Sequence, residues 1–225
     1  MTPNNTIDVD SLHRFIHALA PPISELLTLS DRLRRDQHGF DSAHATRLHD
    51  TAELLQALQT EFRAWISLEA QAPEPQAVAV QAMCQDLTEV LCEHARHHQI
   101  QVEVKAPPDL RAWTDPVLCR HILRRLMANA LRYNRTGGRI VLSARATGSG
   151  GVLLRVADSG IGIDKCQRRA LFAPFERLGK ELCPTDGTGM GLAMAQRMAT
   201  HLGTRVSMRS RLGRGSIFRL LLPRA

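Results

Sequence analysis

The most informative segment of the chain reads Val156-Ala157-Asp158-Ser159-Gly160-Ile161-Gly162-Ile163. An acidic residue ends a hydrophobic run of strand character, and two spaced glycines follow it. Taken alone, this pattern is typical of an ordinary turn, because glycine supplies the positive φ that many turns require. The functional interpretation is a loop that lets a ligand approach the backbone closely. The surrounding sequence has to decide between the two.

Three further segments accompany it in a definite order along the chain: Leu126-Met127-Ala128-Asn129-Ala130-Leu131-Arg132-Tyr133, Leu171-Phe172-Ala173-Pro174-Phe175-Glu176-Arg177 and Gly187-Thr188-Gly189-Met190-Gly191-Leu192. The last of them opens a predicted helix, and glycines before a helix N-terminus let backbone N–H groups reach phosphate oxygens. The chain has no GxxxxGK[ST] sequence, which excludes a Walker-type loop. Each segment alone has a structural explanation, but the four together favour a nucleotide site.

Hydrophobic periodicity predicts an α+β fold for this part of the chain. Helical patterns cover residues 80–96, 115–133 and 191–202. Strand patterns cover residues 101–105, 139–146, 152–158, 205–210 and 216–222, and the glycine-rich residues 147–151 predict a hairpin turn. We expect an α/β sandwich whose mixed, antiparallel-rich sheet carries helices on one face.

The N-terminal part predicts two long amphipathic helices. Apolar residues recur every three or four positions from Leu12 to Leu33 and again from Leu48 to Leu68, on either side of a polar break at 36–41. Two helices cannot bury both stripes alone, so we expect a homodimer with an intermolecular four-helix bundle. The predicted boundaries are a helical hairpin at residues 1–70, a proline-containing linker at 71–76 and a second domain at 77–225.

Charge is divided unevenly along the chain. Residues 1–75 hold 6 of the 29 basic and 11 of the 22 acidic residues, which gives −5 there and +12 in the remainder. The excess predicts that the second domain handles anions. Aromatic residues make up only 4% and do not alternate with basic ones, so a nucleic-acid partner is disfavoured. No signal peptide, membrane-spanning run or CxxC pair is present, and we expect a cytoplasmic protein with no membrane partner.

The four segments are similar to the N, G1, F and G2 boxes of the ATP-binding catalytic domain of bacterial two-component histidine kinases, within the wider gyrase, Hsp90 and MutL family. The resemblance implies that ATP binds, that Asn129 ligates Mg²⁺ at the phosphates and that Asp158 accepts the adenine amino group. Gly160 and Gly162 would let the base approach, and residues 164–186 would form a lid. The other nucleotide contacts it implies are Arg132, Tyr133, Phe175, Gly187, Thr188, Gly189, Gly191 and Leu192.

The hairpin resembles, more weakly, the dimerisation and histidine-phosphotransfer module of these kinases. The family pattern H-[ED]-L-R-x-P-L aligns with His17-Ala18-Leu19-Ala20-Pro21-Pro22-Ile23. The resemblance implies that His17 is the phosphoacceptor, and imidazole suits that role near pH 7; a packed structural histidine is the alternative. Ala18 replaces the acid that takes the histidine proton, a loss that costs ~10²–10⁴ in rate. Arg125 stands where the family's ATP hydrolases carry their catalytic glutamate.

Together the resemblances imply a histidine kinase without its own sensor, controlled by an upstream sensor or regulatory protein. The phosphoryl group would pass from ATP to His17 and then to an aspartate of a response-regulator receiver. Two alternatives lack efficient autophosphorylation: an ATP-binding adaptor, and a phosphotransfer intermediate charged by a receiver. A serine kinase of the anti-sigma type is a third, and the hairpin at residues 10–70 counts against it.

Overall fold

The computed structural model describes residues 9–35, 42–68, 72–176 and 188–225. The chain divides into two compact units. The hairpin unit consists of Met1–Gln71 together with Phe172–Ala193, and the sheet unit consists of Ala72–Leu171 together with Met194–Ala225. The segment that follows residue 171 therefore groups with the N-terminal helices, although strands of the sheet unit flank it in sequence.

Two long helices form the N-terminal part of the hairpin unit, as the periodicity predicted. Helix α1 spans Val9–Arg35 and helix α2 spans Ser42–Ser67, and the polar break at 36–41 lies outside the described residues. The rings of Phe15 and Phe62 stack with centroids 3.9 Å apart, and Leu29 and Leu58 are buried. Apolar packing across the pair is what holds two such helices together in water.

Helix α1 also presents apolar side chains to solvent along one stripe, at steps of four and seven residues. The exposed fractions are 40% for Leu12, 57% for Ile16, 45% for Ile23 and 63% for Leu27. Pro21 and Pro22 lie inside the helix, where neither can donate the backbone hydrogen bond of its position. None of the helices in the described ranges is long and apolar enough to cross a membrane.

The sheet unit is built on a mixed five-stranded sheet, which confirms the predicted α+β class. Its strands are β2 (Gln101–Lys105), β4 (Arg139–Ala146), β5 (Gly151–Asp158), β6 (Val206–Arg211) and β7 (Gly215–Pro223). They run in the order β2-β4-β5-β7-β6, with β2 parallel to β4 and every other pair antiparallel. Alternate residues of β4, β5 and β7 are buried, so one sheet face lies on the core.

Helices α3 (Val80–His97) and α4 (Pro116–Arg132) contact the strands of this sheet. The carboxylate of Asp115 caps α4, because its Oδ1 accepts hydrogen bonds from Val117 N and Leu118 N at 2.9 and 3.0 Å. Seven residues of α4 are buried: Cys119, Ile122, Leu123, Leu126, Met127, Ala130 and Leu131. Helix α5 spans Gly191–His201. Because the apolar residues of α4 face the core, its polar side chains lie on the remaining surface of the helix.

Two short strands were not predicted. Strand β1 (Gln76–Ala79) pairs antiparallel with β3 (Arg111–Thr114) in a separate two-stranded sheet. Gln76, placed in the linker by sequence, is therefore the first residue of a strand. The preceding segment is fixed as well, because Glu74 N donates to Asp115 Oδ2 at 2.9 Å. One carboxylate thus both caps α4 and holds the start of the sheet unit.

Candidate functional site

Asp158 ends strand β5 as a half-buried carboxylate with a fixed orientation. Its Oδ1 accepts hydrogen bonds from Gly160 N at 2.9 Å and from Ser216 N at 3.1 Å. Burial raises the pKa of Asp158 above its usual value, and the two backbone hydrogen bonds oppose that shift. Within the described residues, both side-chain hydrogen bonds of Asp158 use Oδ1. The second oxygen is therefore available as an acceptor for a ligand N–H group.

The loop after Asp158 is held between two other backbones. A Cβ on Gly160 would lie 2.1 Å from the carbonyl oxygen of Tyr133, and Ile161 N donates to that oxygen at 3.0 Å. Gly162 has a φ of +70°, and a Cβ there would lie 2.1 Å from Arg211 O. These glycines were predicted to admit a base. Their contacts show that the packing of the protein's own backbone requires them, whereas the approach of a base stays a prediction.

Gly215 and Ser159 also hold the loop that follows Asp158, and neither was singled out from the sequence. We refer to the contacts of Gly160, Gly162, Gly215 and Ser159 with the neighbouring elements as the clamp. A Cβ on Gly215, whose φ is +92°, would lie 2.0 Å from Asp158 O. The hydroxyl of Ser159 donates to Asn134 Oδ1 at 3.2 Å and accepts from Arg139 N at 2.9 Å. The end of β5 is thereby joined to the end of α4, to β4 and to the β6–β7 turn. The partners lie far apart in sequence, so no local pattern signals them.

Helix α4 brings Asn129 to this same region. Tyr133 ends the helix, its N–H donates to Asn129 O at 3.1 Å, and its carbonyl accepts the Ile161 N–H of the loop. Asn129 and Tyr133 are half-buried and Arg132 is exposed. Steps of three and four residues place all three on neighbouring parts of one helix flank. The structure therefore groups Asn129, Arg132 and Tyr133 with Asp158, Gly160 and Gly162 in the sheet unit.

The same flank of α4 carries the guanidinium group of Arg125 and the imidazole ring of His121. His121 and Arg125 precede Asn129 at steps of four residues. Burial lowers the pKa of His121, and three neighbouring arginines lower it further: Arg124, Arg125 and Arg120. A cationic helix flank next to an amide side chain suits a polyanionic ligand.

The remaining predicted site residues lie in the hairpin unit. Gly189 has a φ of +73°, and a Cβ there would lie 2.8 Å from the carbonyl carbon of Phe175, so the two predicted boxes meet. Thr188 Oγ1 accepts from Met190 N at 3.2 Å, Gly191 opens α5 and Leu192 is buried. Gly187 and lid residues 177–186 lie outside the described residues.

His17 lines a cleft of about 310 Å³ within the hairpin unit. Around it lie residues of α1 and α2 and residues of the segment after position 171: Arg14, Ala18, Pro21, Pro22, Leu54, Leu58, Pro174, Phe175, Glu176 and Thr188. The Phe175 ring lies 5.5 Å from that of Phe15 and 6.3 Å from that of Phe62. This aromatic cluster fixes the two box segments beside the histidine.

The fold and this geometry define an α/β-sandwich protein with an oriented carboxylate at the end of a central strand. Residues 114–225 match the family of histidine kinase-, DNA gyrase B-, and HSP90-like ATPases. The sensor histidine kinase AruS of Pseudomonas aeruginosa is 29% identical over 219 residues, covering 90% of this chain and 21% of AruS. The adaptive-response sensory kinase SasA of Synechococcus elongatus is 28% identical over 221 residues, covering 92% of this chain and 57% of SasA.

Solved structures show the same fold. Histidine kinase ThkA in complex with response regulator protein TrrA superposes with a TM-score of 0.77 at 18% identity, covering 95% of this chain and 61% of that one. Full-length ShkA in complex with AMPPNP superposes with a TM-score of 0.68 at 23% identity, covering 96% of this chain and 45% of that one. Residues 114–225 therefore form a domain of the histidine kinase-, DNA gyrase B- and HSP90-like ATPase family, of the catalytic type found in two-component histidine kinases.

Proposed function

We propose that the protein is an ATP-dependent histidine kinase that phosphorylates His17 and passes the phosphoryl group to an aspartate of a response-regulator receiver. One observation carries this proposal: His17 shares a cleft with Phe175 and Thr188. Those two residues belong to the F-like and G2-like segments of the sequence. The proposed phosphoacceptor and part of the proposed nucleotide-binding segment therefore lie at one cavity.

ATP is the phosphoryl donor in this proposal. The second oxygen of Asp158 suits an adenine amino group, because Oδ1 is already held by two backbone N–H groups. Gly191 opens the 11-residue helix α5, whose first N–H groups suit phosphate oxygens. The AMPPNP in the ShkA structure supports a nucleotide of this class. Contacts to Arg132, Tyr133, Gly187, Gly189 and Leu192 stay predictions.

Mg²⁺ is proposed as the accompanying cation. The amide oxygen of Asn129 is a hard ligand of the kind that Mg²⁺ prefers, and it lies on the helix whose end binds the Asp158 loop. When bound, the ion neutralises charge on the phosphates.

The transfer of the phosphoryl group makes one covalent bond to the protein, at His17. One ring nitrogen of His17 forms a bond to the γ-phosphorus, the bond to the bridging oxygen breaks, and ADP leaves with that electron pair. The other ring nitrogen has to release its proton. Arg14 lines the same cleft and places positive charge beside the group in transit. Positioning and charge are the usual main contributions to phosphoryl transfer.

A homodimer and a receiver are the proposed partners. The exposed stripe Leu12, Ile16, Ile23 and Leu27 supports pairing of two hairpins. The ThkA structure contains a response regulator, which supports a receiver as the partner that accepts phosphate. An upstream regulator, a cytoplasmic location and the lack of a sensor stay predictions of the sequence, since the chain spans only part of its curated relatives.

One observation favours a second candidate, an ATP-binding adaptor or phosphotransfer intermediate. Ala18, beside His17 in the cleft, cannot accept a proton, so autophosphorylation has lost the base of the family pattern.

Labelling separates these functions. The chain is incubated with γ-labelled ATP and Mg²⁺, with and without a receiver domain. A kinase takes up acid-labile, base-stable label from ATP and loses it to the receiver. Label that arrives only from a phosphorylated receiver would identify a phosphotransfer intermediate. Nucleotide binding without label in either direction would identify an adaptor.

A further inference from the structure

The open face of the five-stranded sheet, opposite the buried one, carries a cluster of arginines. The antiparallel register places Arg155 of β5 directly opposite Arg219 of β7. Arg145 of β4 and Arg209 of β6 lie on the same face, because they alternate with the buried residues of their strands. We refer to Arg145, Arg155, Arg209 and Arg219 as the arginine cluster.

The cluster is electrostatically unfavourable without a partner. Like charges directly opposite each other in a sheet destabilise it. Burial lowers the pKa of the Arg219 guanidinium, and the three other members lower it further: Arg209, Arg155 and Arg145. The Nε atoms of Arg155 and Arg219 are buried and make no hydrogen bond to any described residue. Buried donors of this kind normally have an acceptor.

The acid that this face offers is already engaged elsewhere. Glu103 of β2 accepts from Arg139 and forms an ion pair with Lys105 at 2.9 Å. Both partners lower the pKa of Glu103. The other charged positions of the open face in the described strands are basic. The described strands of the sheet therefore supply no acid to the cluster, which favours an anion provided by a partner.

Apolar side chains between the arginines indicate what kind of partner fits. Leu153 pairs across the strands with Leu221, which is 48% exposed, and Ile217 pairs with Arg209. Arginine is enriched at protein interfaces, and the aliphatic side chains beside it offer apolar area that a partner can bury. The face has no aromatic residue for base stacking among the described strands. Guanidinium groups bind carboxylates bidentately, which lysine cannot do.

We propose that the open face is a docking surface for a protein segment in which acidic side chains flank an apolar one. Carboxylates of the partner would pair with Arg155 and Arg219, and its apolar residue would contact Leu153, Ile217 and Leu221. This surface belongs to the sheet unit, whereas His17, where a receiver would accept the phosphoryl group, belongs to the hairpin unit. Four of the basic residues behind the positive charge of residues 76–225 thus lie together on this sheet face.

The test uses the full chain and a fluorescein-labelled helical peptide with glutamates on both sides of a leucine stripe. We expect binding that weakens with salt and falls at least about tenfold in R155Q/R219Q, the effect of losing charge-assisted hydrogen bonds. The matched control R96Q/R111Q removes two exposed arginines from other elements and should bind within about twofold of the parent. A peptide with Gln for Glu should not bind.

Three results would overturn the proposal. The first is equal binding by the parent chain and R155Q/R219Q. The second is binding of the Gln peptide as tightly as the Glu peptide. The third is tighter binding of a 14-base-pair DNA duplex, or of vesicles containing phosphatidylserine, that is lost in R155Q/R219Q, because the cluster would then recognise phosphate.

A second inference rests on the proposed function and concerns the proton that His17 releases. Of the described residues around the His17 cleft, Glu176 is the carboxylate. Its neighbour Phe175 has a φ of +61°, a conformation that non-glycine residues seldom adopt. The Phe175 ring lies against Phe15 and Phe62, so this unusual turn is held on the hairpin. Backbone strain of this kind concentrates at functional sites.

We infer that Glu176 serves as the general base that Ala18 cannot provide. As the attacking nitrogen bonds to phosphorus and ADP leaves, the proton on the other ring nitrogen moves to the Glu176 carboxylate. The base is thus supplied from the segment after position 171 rather than from the residue that follows the histidine. Phosphorylation would then require that segment to be seated on the hairpin.

The rate of labelling from γ-labelled ATP tests this role. E176Q should label roughly 10²–10⁴-fold more slowly than the parent, with unchanged nucleotide affinity, and adding A18E should restore the rate. E89Q, an exposed α3 residue, is the matched control and should label at the parental rate. Parental labelling by E176Q would overturn the inference alone. A loss of labelling rate in E176Q that A18E does not restore would also overturn the inference, because a purely structural role of Glu176 would explain that loss. A parent chain that never labels would instead overturn the proposed function.

Discussion

At the scale of single residues, the site depends on glycines that let three backbones meet. A Cβ at position 160 would lie 2.1 Å from Tyr133 O, where the hydrogen bond from Ile161 N to the same oxygen holds the two backbones together. We predict that G160A lowers the free energy of unfolding by about 1–3 kcal/mol. Urea denaturation of the full chain measures the change.

Gly148 provides the matched control for that substitution. It lies in the turn between β4 and β5, where a Cβ would have no neighbouring atom within 4 Å, and it does not require positive φ. G148A should change stability by no more than about 0.5 kcal/mol. If G148A and G160A lowered the free energy of unfolding equally, the close backbone contacts of Gly160 would not be the reason that this position requires glycine.

Asp158 is predicted to favour binding at the expense of stability. Because its folded-state pKa is raised, its ionised form opposes folding, and this cost is present above that pKa and disappears as the pH falls through it. D158N should therefore be more stable than the parent at pH 7, by a margin that shrinks toward acidic pH. Its amide nitrogen would face the adenine amino group, so ATP affinity should fall by at least about tenfold. Titration calorimetry measures the ATP affinity, and thermal unfolding at several pH values measures the stability. Unchanged ATP affinity in D158N would contradict the role of Asp158 in binding adenine.

At the scale of elements, α4 connects the core to the site, and Asp115 holds its first turn. The carboxylate caps the helix and also accepts from Glu74 N. D115A should lower the free energy of unfolding by about 0.5–2 kcal/mol, the usual cost of a lost cap. D109A, at an exposed loop aspartate, is the control and should be nearly neutral. Equal stability of D115A and D109A in urea would contradict the role of Asp115.

At the scale of the whole molecule, the hairpins are predicted to pair through the exposed stripe of α1. I23E/L27E puts two charges into that stripe and should convert a dimer of 25.0 kDa chains into a monomer. Q56E/Q59E adds the same charge at exposed positions of α2 and should remain dimeric. Sedimentation at about 50 μM, well above the dissociation constant of a stable dimer, gives the masses. A monomeric parent chain would contradict the proposed bundle.

The sequence predicted the long elements well because their periodicity is strong. Helix α4 and the five strands of the main sheet lie within two residues of the predicted bounds. Strands β1 and β3 were missed because each has four residues, which is too short for a period to stand out in the sequence. The clamp on Gly160 and the pairing of Arg155 with Arg219 could not be predicted, since each depends on a register between distant segments. Until the strands are aligned, alternating arginines look like an ordinary solvated face.

The central claim is that His17, beside the Phe175 and Thr188 segment, receives the phosphoryl group of ATP. The most direct measurement compares label uptake from γ-labelled ATP by H17Q and by H49Q, the same substitution at an exposed histidine of α2. We predict acid-labile label in the parent and in H49Q, and none in H17Q. Label that persists in H17Q would contradict the claim.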